Sequence, residues 1–334
     1  MTREEVIRFL RGEDTERLFA RSRDLRNSNF GTKIYLRGLI ELSNICHCDC
    51  LYCGIRASNT SVERYSLDLE TVQQAAKWCY DNGWYSIVVQ SGELTSSLFI
   101  EKIREAIRII KEVSLGKISI TLSCGEQSAE VYQKWRKAGA DRYLLRIESS
   151  NKELFDKIHP VSISYSKREA TLNTLPPLGY QTGTGVMIGL PGQSIEDLAD
   201  DLLFLSQEQF VMCGMGPYIE HSDTPLSAIP SLYSKAERVE LTLRMIALLR
   251  ILRPNINIAS STALGTLSPS ARVEAMEIGA NVIMPNITPK ERRGSYSLYE
   301  GKITDLDLEI FKKSGYKIAY YESGDSPAHI PPNI

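Results

Sequence analysis

Histidine is scarce in this chain: only His47, His159, His221 and His329 occur in 334 residues. A metal site built from several imidazoles is therefore not expected. Long hydrophobic runs are missing too. No stretch approaches the roughly 18 consecutive apolar residues that span a bilayer. The opening run MTREEVIRFLRGEDTERL alternates charged with apolar residues and lacks the core of a signal peptide. No charge sign dominates, with Lys plus Arg at 39, Asp plus Glu at 41 and a net charge of −2. That balance gives no electrostatic reason to expect nucleic acid or a membrane surface as partner. A cytoplasmic setting is the expectation, and disulfides are rare there. No cysteine follows Cys213.

What is present is ordinary for a globular protein, with 43% apolar and 24% charged residues, and the balance excludes a disordered chain. Length alone favours two domains at about 150 residues each, or one large α/β barrel. Residues 3–11 and 14–27 carry helical spacing. Thereafter short β-branched runs alternate with amphipathic stretches. Strands are expected at 34–42, 85–90, 117–123, 141–147, 182–188, 211–217, 256–261 and 280–284. Helices are expected at 69–82, 98–113, 127–138, 166–175, 195–208, 234–251, 269–278 and 304–313. Eight βα units with continuous apolar strands point to an α/β protein with a (βα)8 TIM-type barrel and an N-terminal helical extension. The expected boundaries are 1–33 for the extension, 34–303 for the barrel, and 304–334 for a C-terminal helix and tail. Chemistry in such a barrel sits just after the strands, at their C-terminal ends.

One anomaly stands out against this background. Four of seven cysteines fall between positions 46 and 53. Cys46, Cys50 and Cys53 form C-x3-C-x2-C directly after the first strand. Clustered cysteines in a reducing compartment are metal ligands or catalytic groups before they are bridges. Three thiolates on one loop suit an iron–sulfur cluster, normally held by four, with one iron left open. A structural zinc held by Cys46, Cys48, Cys50 and Cys53 is the rival, but no second C-x2-C pair exists to supply a separated loop. Cys48 reads as a non-ligand and Cys79 as core. Cys124 and Cys213, near strand ends, read as packed interior residues.

C-x3-C-x2-C with Tyr52 before the last cysteine, placed after strand one of a barrel, resembles the radical S-adenosylmethionine (SAM) superfamily. The segments RGLIELSNIC, CLYCGIR, VVQSGE, LSCGE, ADRYLLRIES, GLPGQSIEDLADDLLFL, GPYIEHSDTPL and GANVIMPNITP narrow the likeness to the [FeFe]-hydrogenase maturase HydE family. The methylornithine-synthase PylB family is its neighbour. The resemblance implies a [4Fe–4S] cluster on Cys46, Cys50 and Cys53, with SAM on the open iron. Reductive cleavage of SAM would then give a 5′-deoxyadenosyl radical. It also implies that Glu148 pairs with the ammonium of SAM and Arg168 holds its carboxylate. From the residues alone, Glu148 equally suits an ion pair with Arg146, Arg168 a solvated helix position, and Lys167 is its rival.

Tyr52, Ser91, Ser123, Glu126 and Met187 are further expected cofactor contacts, and Gln90, Tyr218, His221 and Thr262 expected substrate contacts. Glu93 and Asp223 sit at similar strand ends. Turn formation and ordinary structural roles are the bland alternatives. The implied partners are a small-molecule or organometallic substrate, an electron donor such as ferredoxin or flavodoxin, and other maturation proteins. The chain departs from the family in two ways. It lacks C-terminal cysteines for an auxiliary cluster, and Ile147 stands where the family usually has histidine. A PylB-like mutase, a HydE-like enzyme acting on another thiol compound, and a non-catalytic iron–sulfur or zinc protein are the competing readings.

Overall fold

The structure is a computed structural model that describes residues 1–329. Eleven strands run in chain order: β1 (Lys33–Leu36), β2 (Gly38–Ser43), β3 (Ser86–Ser91), β4 (Ser119–Ser123), β5 (Arg142–Leu144), β6 (Gln181–Thr184), β7 (Met187–Ile188), β8 (Met212–Pro217), β9 (Asn257–Ser260), β10 (Val282–Ile283) and β11 (Lys317–Ile318). All paired strands are parallel, in the order β1-β10-β9-β8-β6-β5-β4-β3-β2. β1 and β2 are one stretch of chain broken at Arg37, so this order closes on itself. Tyr35 pairs with Val282, and Leu39 bridges to Asn286. Counting β1 with β2 and β6 with β7, the eight expected barrel strands are present.

Helices return the chain between strands and begin where the sequence supplies a cap. Asp68, Ser96, Ser128, Ser164, Ser194 and Ser234 each accept a hydrogen bond from a first-turn amide, which satisfies a donor that the helix cannot. β2, β3, β4 and β8 are covered on both faces apart from single residues at strand ends. Their near-continuous apolar runs follow from that burial. The two N-terminal helices, Arg3–Leu10 and Thr15–Phe30, pack on the barrel's outer helices.

Three differences from expectation have local causes. β5 ends at Leu144 rather than 147. There the Ile147 amide bonds the Thr184 hydroxyl at 3.1 Å instead of a strand carbonyl. The strand expected at 182–188 splits into β6 and β7 at Gly185, where a Cβ would lie 1.9 Å from the Gly214 carbonyl oxygen. The helix expected at 304–313 occupies only Glu309–Lys313, because Asp307 starts it by accepting from the Glu309 amide at 2.9 Å. Among the described residues three α-helices, Lys152–Ile158, Thr262–Leu267 and Lys290–Arg293, were not expected.

The tail adds β11 beside β1 and then crosses beneath the barrel. Arg142 donates to the Ser323 carbonyl at 2.8 Å and pairs with Asp325. Asn257 donates to the Gly324 carbonyl at 3.0 Å, and the Ser326 amide donates to Gln181 at 3.2 Å. Residues 323–326 thus form a floor at the end opposite the strand C-termini.

Candidate functional site

The chain leaving β2 does not enter a helix. Residues 44–67 form a loop over the C-terminal end of the barrel, held by its own polar groups. Asp49 accepts from Arg56 Nε at 2.7 Å and from the Ser58 amide at 3.0 Å. Arg64 donates to the carbonyls of Asn44, Ile55, Arg56 and Asn59. The loop also lies hard against its neighbours. At Gly54 a Cβ would meet the Ser297 carbonyl oxygen at 2.1 Å, and at Gly92 the Ile45 carbonyl oxygen at 2.3 Å. Only glycine allows both approaches.

Cys46, Cys50 and Cys53 all line one cavity at the strand C-termini. Cys46 Sγ accepts from the amides of Glu93 at 3.3 Å and Cys48 at 3.4 Å. A hydrogen bond from the Cys48 side chain draws the Cys46 thiol down to about 7. Burial pushes the Cys53 thiol up to about 12 and raises that of Cys50 as well. Buried thiols without a cation are poor thiolates, and a metal reverses that by binding the deprotonated form. Three thiols on one loop, amide donors on one sulfur and a shared cavity fit an iron–sulfur cluster with an open position. His47, Cys48 and Glu93 also bring one donor atom each within 4.8 Å of one another. That grouping was not foreseen.

The same cavity is lined by charged residues, Arg146, Glu148 and Arg168 among them. Glu148 follows β5 with its backbone in the left-handed region, φ 64°. Its carboxylate accepts from Arg146 Nε at 2.9 Å, the ion pair that the residues alone allowed. Arg168 is buried and lines the cavity. It donates to Glu126 at 2.5 Å and to the Arg146 carbonyl at 2.6 Å. Lys167, its rival, is 68% exposed and reaches Glu126 only at 3.5 Å. Burial raises the carboxyl pKa of Glu93 against the pull of Arg168.

Of the expected site residues, Cys46, Cys50, Cys53, Tyr52, Gln90, Ser91, Ser123, Glu148, Arg168, Met187 and Tyr218 line this cavity. Three stand apart from its wall. Glu126 sits behind Arg168, and His221 is wedged against Gly54 and within 3.3 Å of the Ser297 hydroxyl. Thr262 opens the helix Thr262–Leu267, leaving Ser261 and Ala263 at the wall. Arg146, Ser261, Tyr296, Leu298 and Tyr299 line the cavity without having been foreseen as contacts. Arg146 was detectable, two residues before Glu148. Tyr296, Leu298 and Tyr299 come from a loop after the last barrel strand and carry no local signal. Cys79, Cys124 and Cys213 are buried in the core.

Comparison with known proteins agrees with this geometry. Residues 40–205 match the radical SAM superfamily. The [FeFe] hydrogenase maturase subunit HydE of Thermotoga maritima is 44% identical over 288 residues, covering 86% of this chain and 80% of that protein. A 3-methylornithine synthase of Methanosarcina acetivorans is 24% identical, covering 89% of this chain and 82% of its own. The crystal structure of methylornithine synthase PylB superposes with a TM-score of 0.81 at 24% identity, covering 96% of this chain and 94% of that one. The maturase HydG superposes with 0.81 at 21% identity, covering 96% and 73%. These two show a shared fold. Radical SAM enzymes use a [4Fe–4S] cluster and SAM, the pair of cofactors for which the cavity has donors. The chain belongs to the radical SAM superfamily and, within it, to the HydE family.

Proposed function

We propose that Cys46, Cys50 and Cys53 hold the [4Fe–4S] cluster, that SAM occupies the cavity above it, and that the enzyme serves maturation of an [FeFe]-hydrogenase, as its Thermotoga relative is named. The observation that carries this reading is the convergence of three loop thiols on a cavity that is also lined by Glu148, Arg146 and Arg168. The chemistry supplied by cluster and SAM together is reductive cleavage of SAM to methionine and a 5′-deoxyadenosyl radical.

The chain's own residues provide the placement. Arg168, anchored by Glu126 and the Arg146 carbonyl, presents its guanidinium to the carboxylate of SAM by charge-assisted hydrogen bonds. Glu148 takes the ammonium, exchanging part of its contact with Arg146 for it. Ser91 and Ser123, at the ends of β3 and β4, offer hydroxyls to the ribose. Met187, Tyr52, Leu145 and Ile163 supply apolar wall that keeps water from the reacting atoms. Gln90 and Tyr218 face the remaining space as substrate contacts. The Tyr218 hydroxyl is buried without a partner and so has a hydrogen bond to offer a ligand.

The substrate is a small molecule, organometallic in the maturase reading. The electron comes from a ferredoxin or flavodoxin, and other maturation proteins are the wider partners. The seven unpaired cysteines suit the reducing cytoplasm. The test is anaerobic reconstitution and reduction, followed by assay of 5′-deoxyadenosine. Cleavage of SAM is expected, and a fully loaded cluster that yields none would end the proposal. Activation of an apo-hydrogenase in a maturation assay that depends on this protein tests the substrate assignment.

A further inference from the structure

Tyr52, beside the last loop cysteine, packs on an aromatic column that lies behind the cavity wall. Its hydroxyl is 3.3 Å from His159 Nε2, and the two rings meet edge to face with centroids 5.4 Å apart. The other imidazole nitrogen, Nδ1, lies 2.9 Å from the Phe155 carbonyl oxygen. A carbonyl only accepts, so Nδ1 carries the hydrogen. Burial, and then the charge of Arg168, hold the His159 pKa down at about 3, so the ring is neutral. Nε2 is then an acceptor, and the Tyr52 hydroxyl is the donor. Phe155 stacks on His159 at 3.9 Å, and the Arg168 guanidinium stands 5.7 Å from the centre of the Phe155 ring. Tyr52, His159, Phe155 and Arg168 therefore form one continuous column from the cysteine loop to the cavity arginine.

We infer that His159 is a positioning residue for SAM: by accepting the Tyr52 hydroxyl hydrogen it fixes the Tyr52 ring at the cavity wall beside the thiols. The inference rests on the reading that SAM lies against Tyr52 and Arg168. The Tyr52 hydroxyl is part-buried, and without its acceptor the desolvation of its shielded side is no longer offset. The ring then turns to find another partner and leaves its place at the wall. The helix Lys152–Ile158 serves this arrangement, since His159 is its C-terminal cap and Phe155 lies one turn earlier.

The test uses reconstituted, reduced holoprotein with matched iron content. SAM is titrated against the electron paramagnetic resonance signal of the cluster, which yields a dissociation constant independent of turnover. Two side chains separate the roles of the imidazole. His159→Asn keeps a donor near Nδ1 for the Phe155 carbonyl but offers no acceptor to Tyr52. His159→Gln places an amide oxygen where Nε2 stood. His159→Asn is expected to weaken SAM about fivefold, the effect of one neutral hydrogen bond, and His159→Gln to restore most of the affinity. The double variant Tyr52→Phe with His159→Asn is expected to bind no more weakly than Tyr52→Phe alone, since both remove the same interaction. His159→Phe replaces His159→Asn should the latter not hold iron. Wild-type affinity in His159→Asn while Tyr52→Phe is impaired would overturn the inference and leave the cavity reading intact. Equal impairment of His159→Asn and His159→Gln would also overturn it, in favour of a purely structural ring. No change in Tyr52→Phe would remove the Tyr52 contact from the cavity reading, and the inference with it.

Discussion

Glu148 holds a backbone conformation that L-residues rarely adopt, φ 64°, at the point where β5 gives way to the cavity. Such strain persists only where the surroundings impose it. Here the Glu148 amide donates to the Gly185 carbonyl, the Met187 amide donates to the Glu148 carbonyl, both at 3.0 Å, and Arg146 holds the carboxylate. Glu148→Gln keeps the shape and removes the charge. It is expected to retain the cluster and to weaken SAM roughly 10- to 100-fold, the range for a charge-assisted hydrogen bond, in a titration of the loaded protein. The cysteines permit a sharper contrast. Cys50→Ala is expected to abolish the brown chromophore, and Cys48→Ala to retain about four irons per chain. Iron analysis of both proteins decides, and loss in both would make Cys48 a ligand. At this scale the sequence was legible where chemistry is local. Three cysteines on one loop and a carboxylate after a strand declare themselves. Tyr296 and Tyr299 do not, because their presence depends on how a distant loop folds over the barrel.

Helix Ile195–Leu205 shows how an element places a site without entering it. Its Asp201 is fully buried and accepts from the Ser150 amide and hydroxyl at 2.5 and 2.7 Å and from Gln193 Nε2 at 3.2 Å. Gln193 in turn accepts from the amides of Gly189 and Leu190 at 2.7 and 3.1 Å. One carboxylate thus ties together the loop that follows Glu148 and the loop that follows β7. Burial pushes the Asp201 carboxyl up to about 7, against about 3.9 in an unfolded chain. Between those values the folded protein binds the extra proton, so stability falls as pH rises from about 4 to about 7 and levels off above. Asp201→Asn is expected to flatten that slope, read from urea midpoints across the window. An unchanged slope would assign it to other groups. Strand and helix starts were legible from alternation and from Ser or Asp caps. Strand ends were not, because β5 stops where a threonine hydroxyl replaces a carbonyl, and β6 breaks where two glycines meet.

At the scale of the whole molecule, the barrel was legible from the count of βα units, whereas its floor was not. Nothing in residues 319–326 reads as a plug until Arg142, Gln181 and Asn257 are seen facing it. Arg142 is fully buried and Asp325 is its carboxylate partner. Asp325→Ala leaves that guanidinium without its counter-charge and is expected to cost about 1–3 kcal/mol, as for a charge-assisted hydrogen bond, measured by denaturant unfolding with iron content unchanged. No effect would show that the backbone carbonyls of the floor suffice. The same closure has a consequence for biosynthesis. β1 is complete once residue 36 has left the ribosome, yet its partners β10 and β11 lie at Val282–Ile283 and Lys317–Ile318. At about 5–20 residues per second, the loop bearing Cys46, Cys50 and Cys53 waits on the order of tens of seconds before the barrel beneath it can close. A nascent chain with three reactive thiols and no finished scaffold is the stage most open to oxidation or to capture of the wrong metal. Delivery of iron and sulfide is therefore best timed to follow chain release.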